Sequence, residues 1–269
     1  MRIEVAGFSY RGTVRESNQD FYCIGPFVEQ QGLMHWSLDD ASATFTQYGL
    51  LASVADGMGG YAGGATASRV ALETLSALFY SERREGCGKE EFAGALAGYL
   101  DRTQRTLATL LARAPALHDA GTTLAGVALL PPDLLVVFHA GDSRVLRAAA
   151  GYVRPLTIDH TPLGPDIAAG RLTEEEAAQR PDALHLTRAL GLGGDARVEC
   201  QTDLTWASGS TFLLGSDGWH GVGRGLSRAA IQAAIRADHP PAALAQSLVE
   251  DAVTADGSDN ATVVVVALS

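Results

Sequence analysis

The chain has 269 residues, of which 46% are hydrophobic and 19% charged, and its formal net charge is -11. That balance fits a globular protein with a sizeable core, and it argues against a broad footprint for nucleic acid or an anionic membrane, while leaving room for a local pocket that binds one phosphate. Cys23, Cys87 and Cys200 are scattered and odd in number, so neither a disulfide framework nor a zinc site is indicated.

In chain order, short strands are expected at 7–12 and 20–24, then a polar stretch over 26–47 that the pattern does not assign, an extended hairpin being one reading. YGLLASVA (48–55) reads as a buried strand, and the glycine cluster after it leads into a helix starting near Ala65. Two amphipathic helices follow each other. Ala67, Val70, Ala71, Leu75, Leu78 and Phe79 line one face of the first; Phe92, Leu96, Leu100, Thr103, Leu107, Leu110, Leu111 and Ala114 line the second. The period then switches to two: 122–130 and 134–140 are expected strands joined by a turn at 131–133, a meander that 144–148 and 152–155 would continue across Gly151. Periodicity weakens between 160 and 190, apart from a short acidic helix beginning at Thr173 with Glu176 three residues on, the spacing of a capping box. Strands at 211–216 and 261–268 bracket helices at 227–237 and 242–254. No repeat or low-complexity linker divides the chain. Strands in runs, separated by paired helices, favour a layered α+β domain over a parallel βαβ sheet. The N-terminus lacks a basic start followed by an apolar stretch, and no segment nears the roughly 20 apolar residues of a membrane helix, so a cytoplasmic location is expected.

The chemistry is concentrated in aspartates placed where apolar runs meet turns: Asp56 in VADGMGG, Asp142 in HAGDSR, Asp217 in GSDGWHG and Asp259 in GSDNATVVVV. Carboxylates held at the margins of a sheet can converge on hard cations that prefer oxygen ligands. Each taken alone has a plainer reading, because Asp and Gly dominate tight turns for backbone reasons. A calcium-loop reading of DGSDN fails for want of the spaced ligands and terminal Glu, and GGYAGG lacks the ending of a phosphate-binding loop.

Seven motifs in order carry a resemblance: VRESNQD (14–20), VADGMGG (54–60), GTTLAG (121–126), AGDSR (140–144), LTRALG (186–191), SDG (216–218) and SDN (258–260). Together they are similar to the metal-dependent protein serine/threonine phosphatases of type 2C, particularly bacterial members, over nearly the whole chain. The resemblance implies one domain over 1–269. Its fold would be α+β, a four-layer α-β-β-α sandwich of two antiparallel sheets flanked by helix pairs. It implies two Mg2+ or Mn2+ ions in a cleft, with Asp56 bridging both, the Gly57 carbonyl on one, and Asp217 and Asp259 completing the shell of the other. Two ions about 3.5–4 Å apart can share a hydroxide and aim it at phosphorus without a covalent phosphoenzyme. Asp20 would orient metal-bound water, and Arg15 would clamp the phosphate through its planar fork. Asp142 would belong to a third site, at best weak here, because Gly221 stands where many relatives carry an acid. Two further departures are Gln19 in place of Glu and Tyr61 in place of a His. The second leaves metal-bound water or His220 as proton donor, although a structural role for His220 is the better reading of the pattern.

The function implied is hydrolysis of phosphoserine and phosphothreonine in proteins, with phosphoproteins and a cognate kinase as partners and a role in signalling. Residues 162–186 correspond to a flap beside the cleft, read either as a substrate selector or as a variable surface loop. The competing classes are a catalytically silent phosphoprotein scaffold, against which the intact ligand set argues, and a phosphatase of small metabolites. His35 and Trp36 fit a hydrophobic hairpin better than a partner contact.

Overall fold

A computed structural model describes residues 1–59, 63–192 and 196–269. Two antiparallel sheets dominate it. The first has six strands, in spatial order Tyr152–Pro155, Arg144–Ala149, Thr211–Gly215, Ala261–Leu268, Arg2–Tyr10 and Gly32–Asp39. The second runs Glu199–Thr205, Leu134–Ala140, Leu124–Leu130, Leu50–Met58, Asp20–Ile24 and Phe27–Glu29, with Gly121–Thr122 pairing off the end of Leu50–Met58.

Strand alternation explains the layering, because successive side chains point to opposite faces. In the last strand Val264 and Val266 enter the core between the sheets, while Val263 and Val265 face helices Arg228–Arg236 and Pro241–Ala255. In Asp20–Ile24 the same rule sends Tyr22 and Ile24 inward, and Phe21 and Cys23 toward helices Gly63–Phe79 and Lys89–Arg113. Strands buried on both faces therefore read as unbroken apolar runs. The result is the expected α-β-β-α sandwich. Among the described residues no helix is long and apolar enough to cross a membrane.

Several elements depart from the sequence reading for physical reasons. The first strand begins at Arg2, five residues before the expected start, since Ile3 and Val5 already point between the sheets. The 26–47 stretch is not one hairpin: Phe27–Glu29 extends the second sheet, Gly32–Asp39 crosses to pair with Arg2–Tyr10, and Ala43–Tyr48 is a helix capped by Ser42. Trp36 is half-buried against the intersheet core and meets Phe27 edge-on, while His35 is exposed. Arg144–Ala149 and Tyr152–Pro155 pair with each other as expected. They do not continue the meander, because after Gly141 (φ 108°) the chain passes to the other sheet. The polar strand Glu199–Thr205 and the short helix Gly164–Ala168 escaped the periodicity argument, the first as a half-exposed edge strand. The capping box at Thr173 and Glu176 is present, opening helix Glu174–Ala177.

Phe212, fully buried between the sheets, is a point where packing alone is tested. Phe212→Ala should cost about 3–5 kcal/mol of stability in urea unfolding of metal-free protein, and a cost below about 1 kcal/mol would contradict the two-sheet core.

Candidate metal centre

The pairing of the second sheet sets Asp20 directly opposite Asp56. Asp56 lies inside strand Leu50–Met58 rather than at its exit, and its backbone is pinned on both sides: its N–H donates to Thr123 Oγ1 (2.9 Å), and its carbonyl accepts from Thr123 N (2.9 Å) and Thr122 Oγ1 (3.0 Å). In the first sheet Asp217 follows Thr211–Gly215 as the first residue of helix Asp217–His220, and Asp259 stands two positions before Ala261–Leu268. Those strands are paired through Gly215 and Val263, so both aspartates come to the same end of the sheet. Asp142 occupies the turn between Leu134–Ala140 and Arg144–Ala149.

Arg15, Asp56, Gly57, Asp142, Asp217, Arg224 and Asp259 all line one cavity of about 790 Å³. Asp20 does not line it and is completely buried. Glycine is required at 57 by close approach, since a Cβ there would strike the carbonyl of Gly64. Behind Asp20 runs a chain of hydrogen bonds: Asn18 Nδ2 donates to Ser9 Oγ (2.9 Å), Ser9 Oγ meets Thr262 Oγ1 (2.7 Å), and Thr262 and Ser216 donate to Asp20 Oδ2 at 2.6 and 2.7 Å.

Burial and mutual repulsion govern the electrostatics. Desolvation, opposed by the hydroxyl donors and reinforced by Asp259 and Asp217, pushes Asp20 up to about 7. Desolvation also holds Asp56 and Asp142 well above the ordinary carboxylate range, with Asp20 and Asp217 the next contributors to the former and Asp217 to the latter. Asp217 is raised by burial and partly relieved by Arg224. Clustered carboxyls that resist ionisation in the absence of cations are what a hard divalent ion would relieve. Asp20 Oδ1 and Asp217 Oδ1 are buried without a hydrogen-bond partner among the described residues. The donors are all oxygen, and with those two orphaned atoms they fit Mg2+ or Mn2+.

A second cluster, His139, His160 and Glu199, does not compare. The Gly141 N–H donates to His160 Nδ1 (3.1 Å), which places the ring proton of neutral His160 on Nε2, beside Glu199 and the Arg188 guanidinium at 3.3 Å each. His139 Nε2 likewise donates to the Ile158 carbonyl (2.8 Å).

Sequence reasoning missed four contributors. Asn260 donates from Nδ2 to the Arg11 and Ser17 carbonyls (2.7 and 3.0 Å) and accepts from Gln19 N (2.8 Å), fastening the loop that carries Arg15 to the last strand. Thr262 and Ser216 support Asp20, and Arg224 enters the cavity. Asn260 was legible as the third letter of SDN; Arg224 had no signal. Arg15 is at the cavity, but its guanidinium is engaged by both oxygens of Asp259, with Nε to Oδ1 at 2.8 Å and Nη2 to Oδ2 at 2.7 Å. His220 is not a proton donor to the cavity. Its Nδ1 donates to the Leu226 carbonyl (2.7 Å), its Nε2 accepts from Arg144 (3.1 Å), and burial followed by Arg144 lowers it to about 4. Tyr61 lies outside the described residues.

The protein phosphatase 2C family model matches residues 35–250. The chain belongs to the protein phosphatase 2C family. It is 30% identical over 267 residues to protein phosphatase PhpP of Streptococcus pneumoniae, covering 99% of this chain and 98% of the relative. It is also 32% identical over 270 residues to serine/threonine protein phosphatase PstP of Mycobacterium tuberculosis, covering 98% of this chain and 44% of that longer protein. Among solved structures, the serine/threonine phosphatase of S. agalactiae aligns with a TM-score of 0.80 at 25% identity, over 99% of this chain and 100% of that one. The catalytic domain of PstP in complex with 2 manganese ions aligns at 0.73 and 27% identity, over 100% and 99%. The sandwich described above is the fold of this 2C family.

The raised carboxyls give a pH dependence of defined sign. The folded protein retains protons that the unfolded chain, with Asp near its ordinary value of 3.8, has lost. Stability of the metal-free protein therefore falls as pH rises from about 4 through about 7. Mn2+ should offset the loss, so the Mn2+-induced gain in Tm should be larger at pH 8 than at pH 5.5 by about 3 °C or more; equal gains in differential scanning fluorimetry would contradict the clustered-carboxylate picture.

Proposed function

We propose that this protein is a Mg2+- or Mn2+-dependent phosphatase that removes phosphate from phosphoserine and phosphothreonine in proteins by a single displacement at phosphorus, with water attacking and the serine or threonine oxygen leaving. The observation that carries the reading is the convergence of Asp56, Asp142, Asp217 and Asp259 with the Arg15 guanidinium on one cavity, in a chain of the 2C family. Two divalent ions would supply positive charge to the phosphoryl group and acidify the attacking water. Asp56, the Gly57 carbonyl, Asp217 and Asp259 are the residues to hold them, with Asp142 at most contributing to a weak third site. Asp20, fixed through Oδ2 by Ser216 and Thr262, keeps Oδ1 as a proton-accepting atom behind the ligands. Arg15, released from Asp259, presents two N–H groups to two phosphate oxygens.

Residues 1–269 are read as one catalytic unit, with 162–186 as its flap. Leu184, His185 and Leu186 from that segment line the same cavity, which supports a part in substrate choice. Phosphoproteins are the substrates, with a cognate protein kinase as the opposing activity in cytoplasmic signalling.

The deciding experiment is phosphate release from a phosphothreonine peptide with Mn2+, repeated in EDTA and with Asp217→Asn. Turnover should vanish in EDTA and fall about a hundredfold or more in the variant, since even the groups that orient metal ligands are worth 10–100-fold. Near-normal turnover in the variant at saturating Mn2+ would remove Asp217 from the ligand set, and turnover of sugar phosphates equal to that of the peptide would reassign the substrate. Arg15→Ala should raise KM for the peptide about tenfold with kcat less affected, matching the loss of a charged hydrogen-bond pair; an unchanged KM would exclude the phosphate clamp.

A further inference from the structure

Arg224 Nη1 lies 2.8 Å from Asp217 Oδ2 and 2.6 Å from Asp259 Oδ2. One nitrogen thus spans the two carboxylates assigned above to the same ion. The backbone delivering it is stiff. Gly221 bridges to Arg224 and His220 to Gly225 across a tight turn. Gly225 has φ 59°, and a Cβ there would strike the Trp219 carbonyl. The tip of the turn is seated in the flap, where Val222 is buried with Leu163, Ala177 and Ala183. The Arg224 side chain is only 25% exposed.

We propose that Arg224 is a built-in counter-cation that bridges Asp217 and Asp259 in the metal-free protein and competes with a divalent ion for them, so that metal loading requires its displacement. The proposal rests on the metal-centre reading above. Its physical basis is competition between cations for shared carboxylate charge. Nitrogen–oxygen contacts of 2.6 and 2.8 Å are charge-assisted hydrogen bonds, whereas Mg2+ draws the same oxygens to about 2.0–2.1 Å. An ion held by these two carboxylates would lie close to a guanidinium of like charge, and the two cations would draw on the same negative charge. Arg15 also engages Asp259, through both oxygens, so two cations hold this carboxylate, and Arg224 reaches on to Asp217. The arrangement keeps like charges together when no metal is present and lowers affinity for metal in return.

Calorimetric titration of Mn2+ into EDTA-treated and dialysed protein, without substrate, tests this independently of turnover. Arg224→Ala should bind Mn2+ about tenfold tighter than wild type or more, the equivalent of one charged hydrogen bond removed from competition. Its metal-free Tm should fall while its Mn2+-induced gain widens. A residue that merely shaped the loop would loosen metal binding when removed, so equal or weaker Mn2+ affinity in Arg224→Ala overturns the proposal. Should that variant fail to fold, Arg224→Gln, which keeps polarity without charge, gives the same readout. Mn2+ bound by wild type, lost in Asp217→Asn and unchanged in Arg224→Ala overturns the counter-cation alone. Absence of Mn2+ binding in both wild type and Arg224→Ala overturns the metal centre with it.

Discussion

Everything at this site follows from holding several carboxyl groups closer together than their charges favour. Asp20 and Asp56 face each other across one sheet, and Asp217 and Asp259 end adjacent strands of the other. Such a cluster is tolerable only because rigid backbone fixes each member and because protons, guanidinium groups or metal ions neutralise it. The supports are correspondingly dense. Thr122 and Thr123 hold the Asp56 backbone, Ser216 and Thr262 hold the Asp20 carboxyl, and Asn260 ties down the loop preceding Asp20. The two-sheet core is thus the device that concentrates negative charge, and the 2C chemistry uses that concentration.

A second network carries the flap. Arg144, nearly fully buried, donates to both oxygens of Asp159 (2.9 and 2.7 Å), to Glu174 at 2.8 Å and to His220 Nε2. One side chain of the first sheet therefore gathers the segment before the flap, the acidic helix within it and the helix that starts at Asp217. Residues 162–186 and the helix that starts at Asp217 thus share this junction through contiguous contacts.

Much of this was legible in the sequence, and the reasons differ by element. The strand and helix stripes were readable because burial on defined faces imposes a period, as in Val263 to Val266 or Leu96 to Leu107. The convergence of the aspartates was readable only through the order of the motifs, since no local rule says that Asp20 and Asp56 will be opposite each other. Residues 26–47 failed because a segment that leaves one sheet and joins the other has two short, half-exposed strands with no shared pattern. Arg224 failed for a different cause. A lone arginine in a glycine-rich loop looks like any solvated cation until the turn and the flap aim it inward.

The placement of the last strand sets the order in which the site can come into being. Ala261–Leu268 is an interior strand of the first sheet, pairing with Thr211–Gly215 on one side and Arg2–Tyr10 on the other. A chain emerging from the ribosome at about 5–20 residues per second has made Asp20, Asp56, Asp142 and Asp217 well before this strand appears. Until it does, the first sheet is split in two, Asp259 is missing and the loop bearing Arg15 lacks the Asn260 contacts that tie it to that sheet. A chain cut short before Asp259 and this strand would keep four of the five aspartates and still lack the assembled cluster.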